Sequence, residues 1–433
     1  MRPLGSVRSA LGWRGAAVRP QLVLALLLAA SACVAASDST DNDATWVGTI
    51  TTEGNVTTVV NESGSVWSGT ARLEEEATIG VETGADEYML GEITALHATD
   101  DEIYVLDSSA SKVRVYDFAG NHLRSFGRGG QGPGEFGRFA FGLNVAPDGR
   151  VYVGDVANRR ISIHSPEGEA IDEIAFSSQV QCCRAGLVLA DGGGVWLQVR
   201  VADDGGPSSR AGVRVHTVDG PVGEPILVPE IEYDRRVIRT ARGDIERVPF
   251  AATFVWGLGY DQSLIVGASD RYRFRIIHPG GSSTVVERFW DPVPVTAEQA
   301  DYWRRATLAD FGRAMDLSWN GENIPDHKPA YRAFLSAASG EIWLMREGPL
   351  LPGACTLPPE QMVQASDPAD YLRCLFGELT FDVFDGDGRY LGNVEGLPMV
   401  SAQPFINNDT VVAVAQDDVG TVMVKRYRLV LPN

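Results

Sequence analysis

An all-β ring of six four-stranded blades, a β-propeller, is the fold this sequence predicts, and three observations predict it. Short alternating strands repeat at a constant offset of 48 residues, glycine-containing turns recur ahead of the outer strand of each unit, and the last unit lacks a strand that an early segment can supply. The totals agree, since 433 residues with 47 Gly and 23 Pro provide turns for many short strands, and 44% hydrophobic content suits a globular core. A long helical bundle does not fit that composition.

The chain opens with Arg2, Arg8, Arg14 and Arg19 ahead of an apolar run, Leu22 to Ala30, that is too short for a permanent membrane span. Residues 1–32 therefore read as a signal peptide. Ala30-Ser31-Ala32-Cys33 resembles a bacterial lipobox, which implies diacylation of Cys33 and membrane contact through an N-terminal lipid anchor. Ordinary cleavage at Ala32 or around Ala35-Ala36 is the alternative, and it leaves a secreted protein. Residues 33–70, rich in Ser, Thr, Asp, Asn and Gly, are expected to form a flexible tether with weak strand-like patches such as Val56 to Val60. No later segment has the roughly 18 apolar residues of a membrane helix, so residues 71–433 are expected to form the propeller. Removing residues 1–32, with four Arg and no acid, takes the formal charge from -20 to -24. So acidic a body repels polyanions, and no nucleic-acid partner is expected.

The repeat itself is read by alignment. Glu102-Ile103-Tyr104-Val105-Leu106-Asp107 matches Arg150-Val151-Tyr152-Val153-Gly154-Asp155, Val113–Tyr116 then matches Ile161–His164, and Gly120 matches Gly168. Later units are followed through the turns at Val218-Asp219-Gly220, Pro279-Gly280-Gly281 and Gly386-Asp387-Gly388, which makes five complete blades. A sixth begins near Pro404 and stops soon after Leu429 without an outer strand. Arg72 to Gly80 can fill that place, pairing the first and last blades and removing exposed edges. Five and seven blades are the alternatives. Phe126-Gly127-Arg128-Gly129-Gly130-Gln131-Gly132-Pro133-Gly134-Glu135-Phe136, followed by Asp148–Asp155 and Asn158–Ile161, resembles an NHL repeat, and the resemblance spans roughly residues 87–170.

Two insertions interrupt the rhythm. Residues 294–318 predict a helix between blades four and five, with Thr296 as N-cap and Gln299 three residues later. Its Trp303 and Phe311 are expected to pack on the propeller. Residues 349–376 carry Cys355 and Cys374, and a disulfide closing that excursion is the first choice. Cys182 and Cys183 then pair with each other or stay as thiols, and the sequence does not decide between the three pairings that four cysteines allow.

Function is expected on loops around the channel, because the strands are committed to packing. The residues leading into the inner strands read as Glu92, Arg138, Arg184, Trp256, Arg332 and Gln403, a candidate ligand-binding ring whose arginines suit a carboxylate or another anion. These groups can equally pair with blade-to-blade carboxylates or solvent. Arg128, Gln131 and Glu135 on the Gly-rich loop are candidate contacts for a partner, while the loop lacks the strand-to-helix setting of a phosphate cradle. Asp385-Gly386-Asp387-Gly388 lacks the later acidic ligands of a calcium loop and reads as a turn. Asp107 and Asp155 recur at one blade position and read as structural. The six His residues show no metal-ligand spacing, no catalytic residue stands out, and no cofactor or metal is expected. The expected function is a non-catalytic cell-envelope module recognising a protein, a peptide or a small anionic ligand. The alternative is a metal-dependent propeller hydrolase or lyase, similar to lactonases or peptidyl amidating lyases, a resemblance that implies a calcium or zinc centre at the channel.

Overall fold

A computed structural model of the chain describes residues 46–432, apart from 179, 182–185, 203–208, 240–244, 316–318, 320–322, 350–354, 356, 363–373, 376, 378 and 399–400. Cys33, Cys182, Cys183 and Arg184 lie outside the described residues.

Six antiparallel blades follow one another along the chain. Blade I pairs Ile93–Ala98, Glu102–Asp107, Lys112–Asp117 and His122–Phe126 in order from the channel outward, and blade II repeats it with Ala140–Val145, Val151–Asp155, Arg160–His164 and Ala170–Ala175. In blade III the inner strand is split into Val180–Gln181 and Val188–Leu189, both pairing with Val195–Ala202, and Ser209–Thr217 and Gly220–Leu227 complete it. Blade IV has Phe254–Leu258, Leu264–Ala268, Arg273–Ile277 and Ser283–Arg288; blade V has Ala333–Ser336, Ile342–Glu347, Leu379–Phe384 and Tyr390–Glu395. In blades I and II the two middle strands are buried on both faces, because each blade lies between two others. All five residues of Val151–Asp155 and of Leu264–Ala268 are buried.

The turn before each outer strand demands a left-handed residue, and the sequence supplies glycine there every time. Gly120, Gly168, Gly220, Gly280 and Gly388 have φ of 84°, 94°, 111°, 94° and 93°. A separate apolar core fills each seam. Tyr104, Val115 and Leu143 join blades I and II, Ile163, Phe176 and Leu197 join II and III, Phe274, Phe384 and Tyr390 join IV and V, and Phe381, Val394 and Val411 join V and VI. Among the described residues the III–IV seam is the thinnest, with Val228, Leu264 and Val266 in its buried cluster.

Blade VI contains Phe405–Asn407, Thr410–Gln416 and Val422–Val430, and its outer strand is Thr70–Ile79, drawn from the other end of the domain. That strand pairs antiparallel with the last one, from Arg72↔Val430 to Ile79↔Val424. Opposite charges line the outer face of this pair. Glu75 meets Lys425 at 2.7 Å, Glu76 meets Arg426 at 2.6 Å, and Glu74 meets Arg428 at 2.7 Å. The same strand also touches blade V in parallel through Asn393↔Thr70 and Val394↔Ala71.

The expected tether is corrected over much of its length. Val47–Glu53 and Val56–Ser63 form a hairpin that extends blade IV outward, with Val56–Asn61 parallel to Ser283–Arg288. A Thr- and Asn-rich composition is compatible with a strand whose outer face meets water, which is why it looked like linker. Asn61 locks the hairpin in place. Its Oδ1 accepts from Trp46 Nε1 and the Tyr390 backbone N–H at 2.8 Å each, and its Nδ2 donates to the Glu287 and Gly388 carbonyls at 3.1 Å.

The helix Ala297–Met315 lies between blades IV and V as expected, and Thr296 Oγ1 accepts from the Gln299 N–H at 3.1 Å. Its Trp303 is buried, and among the described residues its cluster is drawn from other insertions and holds no blade strand, while the Phe311 side chain lies outside the described residues. Ile238, Val248 and Phe250 from the long III–IV connection, Trp303 and Ala306 from the helix, and Met362 and Cys374 from the blade V excursion share one core. The Cys355–Cys374 disulfide is present and ties this cap together. Closing a loop of 19 residues restricts the open state, so reduction is expected to lower the cap's local stability by roughly 3 kcal/mol. Hydrogen exchange should then quicken across the helix and spare blades I and II; uniform behaviour before and after reduction contradicts this.

Candidate functional site

Chain direction gives the ring two distinct faces. Every inner strand starts at the front face and ends at the back, so connections between blades, and between second and third strands, lie in front. Turns after the first and third strands lie behind. The cap is assembled wholly from front-face connections.

The front face is where the expected ring belongs, and the structure spreads those residues out. Glu92 directly precedes Ile93–Ala98 and is exposed. Arg138 is exposed as well, one residue before Phe139, the true counterpart of Glu92: the Glu92, Phe139 and Thr253 carbonyls accept from Ser108, Val156 and Ser269 N–H groups, respectively. Trp256 thus sits within its strand, three residues past the position assigned to it, and lines the narrow channel together with Gln403. Arg332 is engaged by buried Glu347 at 2.5 Å. Lys328 donates to the Gly348 carbonyl at 2.8 Å and stands 3.9 Å from the same carboxylate. Burial lowers the Lys328 pKa to about 8 and raises that of Glu347.

Glu347 ends the second strand of blade V, as Asp107 and Asp155 end theirs. Asp107 accepts from the Gly91 and Ala110 N–H groups at 3.3 and 3.2 Å, and Asp155 from those of Gly137 and Asn158 at 3.0 and 3.1 Å. Both carboxylates tie the turn that follows to the connection that precedes. The Gly-rich loop is equally structural at its base. Asn158 Nδ2 donates to the Gly130 carbonyl at 2.9 Å and Arg160 to the Gly132 and Glu135 carbonyls at 2.6 and 2.9 Å. Arg128 reaches out and pairs with Glu135 at 2.8 Å, Glu135 also accepts from the Gly132 N–H, and Gln131 is exposed. Asp385 accepts from the Asp387 and Arg389 N–H groups at 3.1 and 2.8 Å, as a turn residue does. Among the described residues no three His, Cys, Asp or Glu side chains converge as a metal site.

The channel itself is narrow, about 170 Å³, and its walls include Leu96, Leu143, Val255, Trp256, Phe334 and Leu335. Behind it opens a cavity of about 880 Å³. The continuation is direct, because the blades that line the channel first with Leu96, Leu143 and Leu335 line the cavity next with His97, Asn144 and, in the turn after the strand, Ala338, and Tyr260 borders both. Its floor is His97, Tyr260 and Phe405, with the His97 and Phe405 rings 4.5 Å apart and Tyr260 edge-on to Phe405 at 6.2 Å. Its wall carries Asp100, Asp101, Glu102, Glu167 and Arg124. The arginine is spent: it binds both Glu102 oxygens at 2.5 and 2.8 Å, the Tyr104 hydroxyl at 2.9 Å and the Pro166 carbonyl at 2.9 Å.

Sequence reasoning placed function at the other end of the strands and missed this cavity. The available signal was His97 one residue from an inner-strand end, followed by the acidic turn Thr99-Asp100-Asp101-Glu102. Burial pulls the His97 pKa from 6.5 down to about 3. Between those values the unfolded chain binds a proton that the folded chain refuses. The contribution is complete above pH 6.5 and falls on acidification, by up to about 1.4 kcal/mol per pH unit inside that window. Comparing urea midpoints across pH, His97→Leu is expected to show a shallower acid slope than the parent; equal slopes contradict it.

Residues 59–187 match a family described as six-bladed β-propellers. Among solved structures, a member of the DUF4221 family from Bacteroides vulgatus aligns with a TM-score of 0.48 at 11% identity, over 84% of this chain and 99% of that one. Virginiamycin B lyase from Staphylococcus aureus aligns at 0.34 and 10% identity, over 78% and 95%, respectively. A luciferin-regenerating enzyme aligns at 0.36 and 11% identity, over 83% and 97%. No curated protein matches the sequence. These likenesses concern the fold, and none carries an activity to this chain.

Proposed function

We propose that this chain is a non-catalytic binding module of the bacterial cell envelope, which holds a peptide, protein segment or small ligand at the mouth of its propeller channel. The observation that carries the reading is the 880 Å³ back-face cavity, a mixed polar and aromatic recess set on the inner-strand ends of blades I, II and VI and bordered by Tyr260 and Ala338. Its size suits a ligand, and its lining suits recognition. The Arg-rich start, the apolar run and Cys33 support export with a lipid anchor, and the Cys355–Cys374 disulfide suits an oxidising compartment.

Screening a peptide and metabolite library by thermal shift tests the reading. Ligands should raise the melting temperature and be recovered chemically unchanged. At 100-fold excess over Kd the stabilisation amounts to about 2.7 kcal/mol. Stoichiometric calcium or zinc in the purified protein, together with turnover of lactones or hydroxyglycine peptides, would overturn it in favour of a hydrolase or lyase.

A further inference from the structure

We propose that the back-face cavity takes a cationic side chain, a guanidinium or ammonium, presented by a peptide with an apolar or aromatic neighbour. This rests on the reading of the channel mouth as a binding site and names the chemistry it selects.

The first reason is charge. Four carboxylates line the recess and one cation faces them, and that cation is already bound bidentately by Glu102. Asp100, Asp101 and Glu167 are exposed and have no basic partner among the described residues. An anion entering here meets their repulsion, while a cation gains a field that the low-dielectric walls concentrate.

The second reason is independent of the acids. His97 is 6% exposed, lines the cavity, and its Nδ1 has no hydrogen-bond partner among the described residues. An orphaned polar atom in so enclosed a position is costly unless something satisfies it. The ring stays neutral at physiological pH, because its burial opposes protonation, so it does not repel a cation. Accepting a hydrogen bond from one requires the ring to turn, because its Nδ1 is sealed from solvent in this structure. Tyr260, half-buried and edge-on to the buried Phe405 ring, adds an aromatic surface of the kind on which guanidinium and ammonium groups rest favourably.

The third reason is size. A volume of about 880 Å³ exceeds what one amino group fills and leaves room for the neighbouring residue of a peptide.

Isothermal titration calorimetry of the full mature chain tests this with three blocked tetrapeptides, Gly-Arg-Phe-Gly and the same sequence with citrulline or Glu in place of Arg. The arginine peptide is expected to bind, the citrulline peptide at least tenfold more weakly, and the Glu peptide weakest. Asp100→Asn combined with Asp101→Asn should cost the arginine peptide at least tenfold without shifting the melting temperature, since both side chains are exposed. His97→Leu should weaken it several-fold, and raised salt should weaken the parent and spare the double variant. Citrulline binding as well as arginine, or full affinity in the double variant, overturns the proposal, as does failure of all three peptides to bind. A Glu peptide that binds through Arg138 or Arg332, as their alanine variants would reveal, also overturns it. That result leaves the channel-mouth module standing, which falls only on the turnover test.

Discussion

A chain shortened to begin at Gly80 is expected not to fold, whereas one beginning at Ser65 is expected to fold with reduced stability. The difference between them is the strand Thr70–Ile79. It forms seven cross-strand pairs with Val422–Val430 and buries Ala71 and Ile79 to 1% exposure. Backbone hydrogen bonds contribute about 1 kcal/mol each and a buried isoleucine about 2 kcal/mol, so the loss is on the order of the 5–15 kcal/mol that holds a whole domain together. The unpaired edge of blade VI would invite aggregation as well. The Ser65 chain loses only the outer hairpin and the Asn61 lock. Circular dichroism and urea titration of the two chains decide the matter; cooperative unfolding of the Gly80 chain at the parent midpoint contradicts the closure.

The second large effect is expected at Asp382, in the third strand of blade V. This carboxylate is buried, lies 3.3 Å from both Arg288 and Arg346, and accepts from the Tyr272 and Tyr390 hydroxyls. Arg288 also rests over the Tyr390 ring, 3.8 Å from its centre. One anion thus answers two guanidinium groups at the seam between blades IV and V. Asp382→Asn keeps the shape and removes the charge, leaving both arginines uncompensated, and is expected to cost roughly 3–5 kcal/mol. Arg288→Gln, which leaves Arg346 as partner, should cost clearly less. Equal midpoints for Asp382→Asn and the parent would show that solvent already compensates the arginines.

Much of this architecture was legible in the sequence because propeller physics is periodic. The offset between Asp107 and Asp155, the positive-φ turn glycines and the unfinished last blade are local signals, and each fixes one strand or turn. The closure was readable even in its charges, since Glu74-Glu75-Glu76 and Lys425-Arg426-Tyr427-Arg428 are complementary. What escaped the sequence depends on neighbours distant in the chain. Val47–Ser63 looks like linker until Ser283–Arg288 offers it an edge, and Asn61 has no meaning without Gly388 and Tyr390. The cap was missed as a unit because its core draws on three connections, and Trp303 reads the same on a helix whichever surface receives it. Register was the weak point of the site. Trp256 lies three residues beyond the start position because blade IV carries little of the motif that aligned blades I and II. The back cavity escaped because His97 and Asn144 look like ordinary strand ends, and only ring closure brings them beside Tyr260 and Phe405.

Cysteines placed at Glu74 and Arg428, opposite each other across the closing pair, test the account most directly. Under air oxidation the folded variant is expected to form this bond, and mass spectrometry should recover one tryptic species joining the two segments, with a raised unfolding midpoint. Recovery of both cysteines as free thiols in the folded protein would mean that the ring is not closed by its own N-terminal strand.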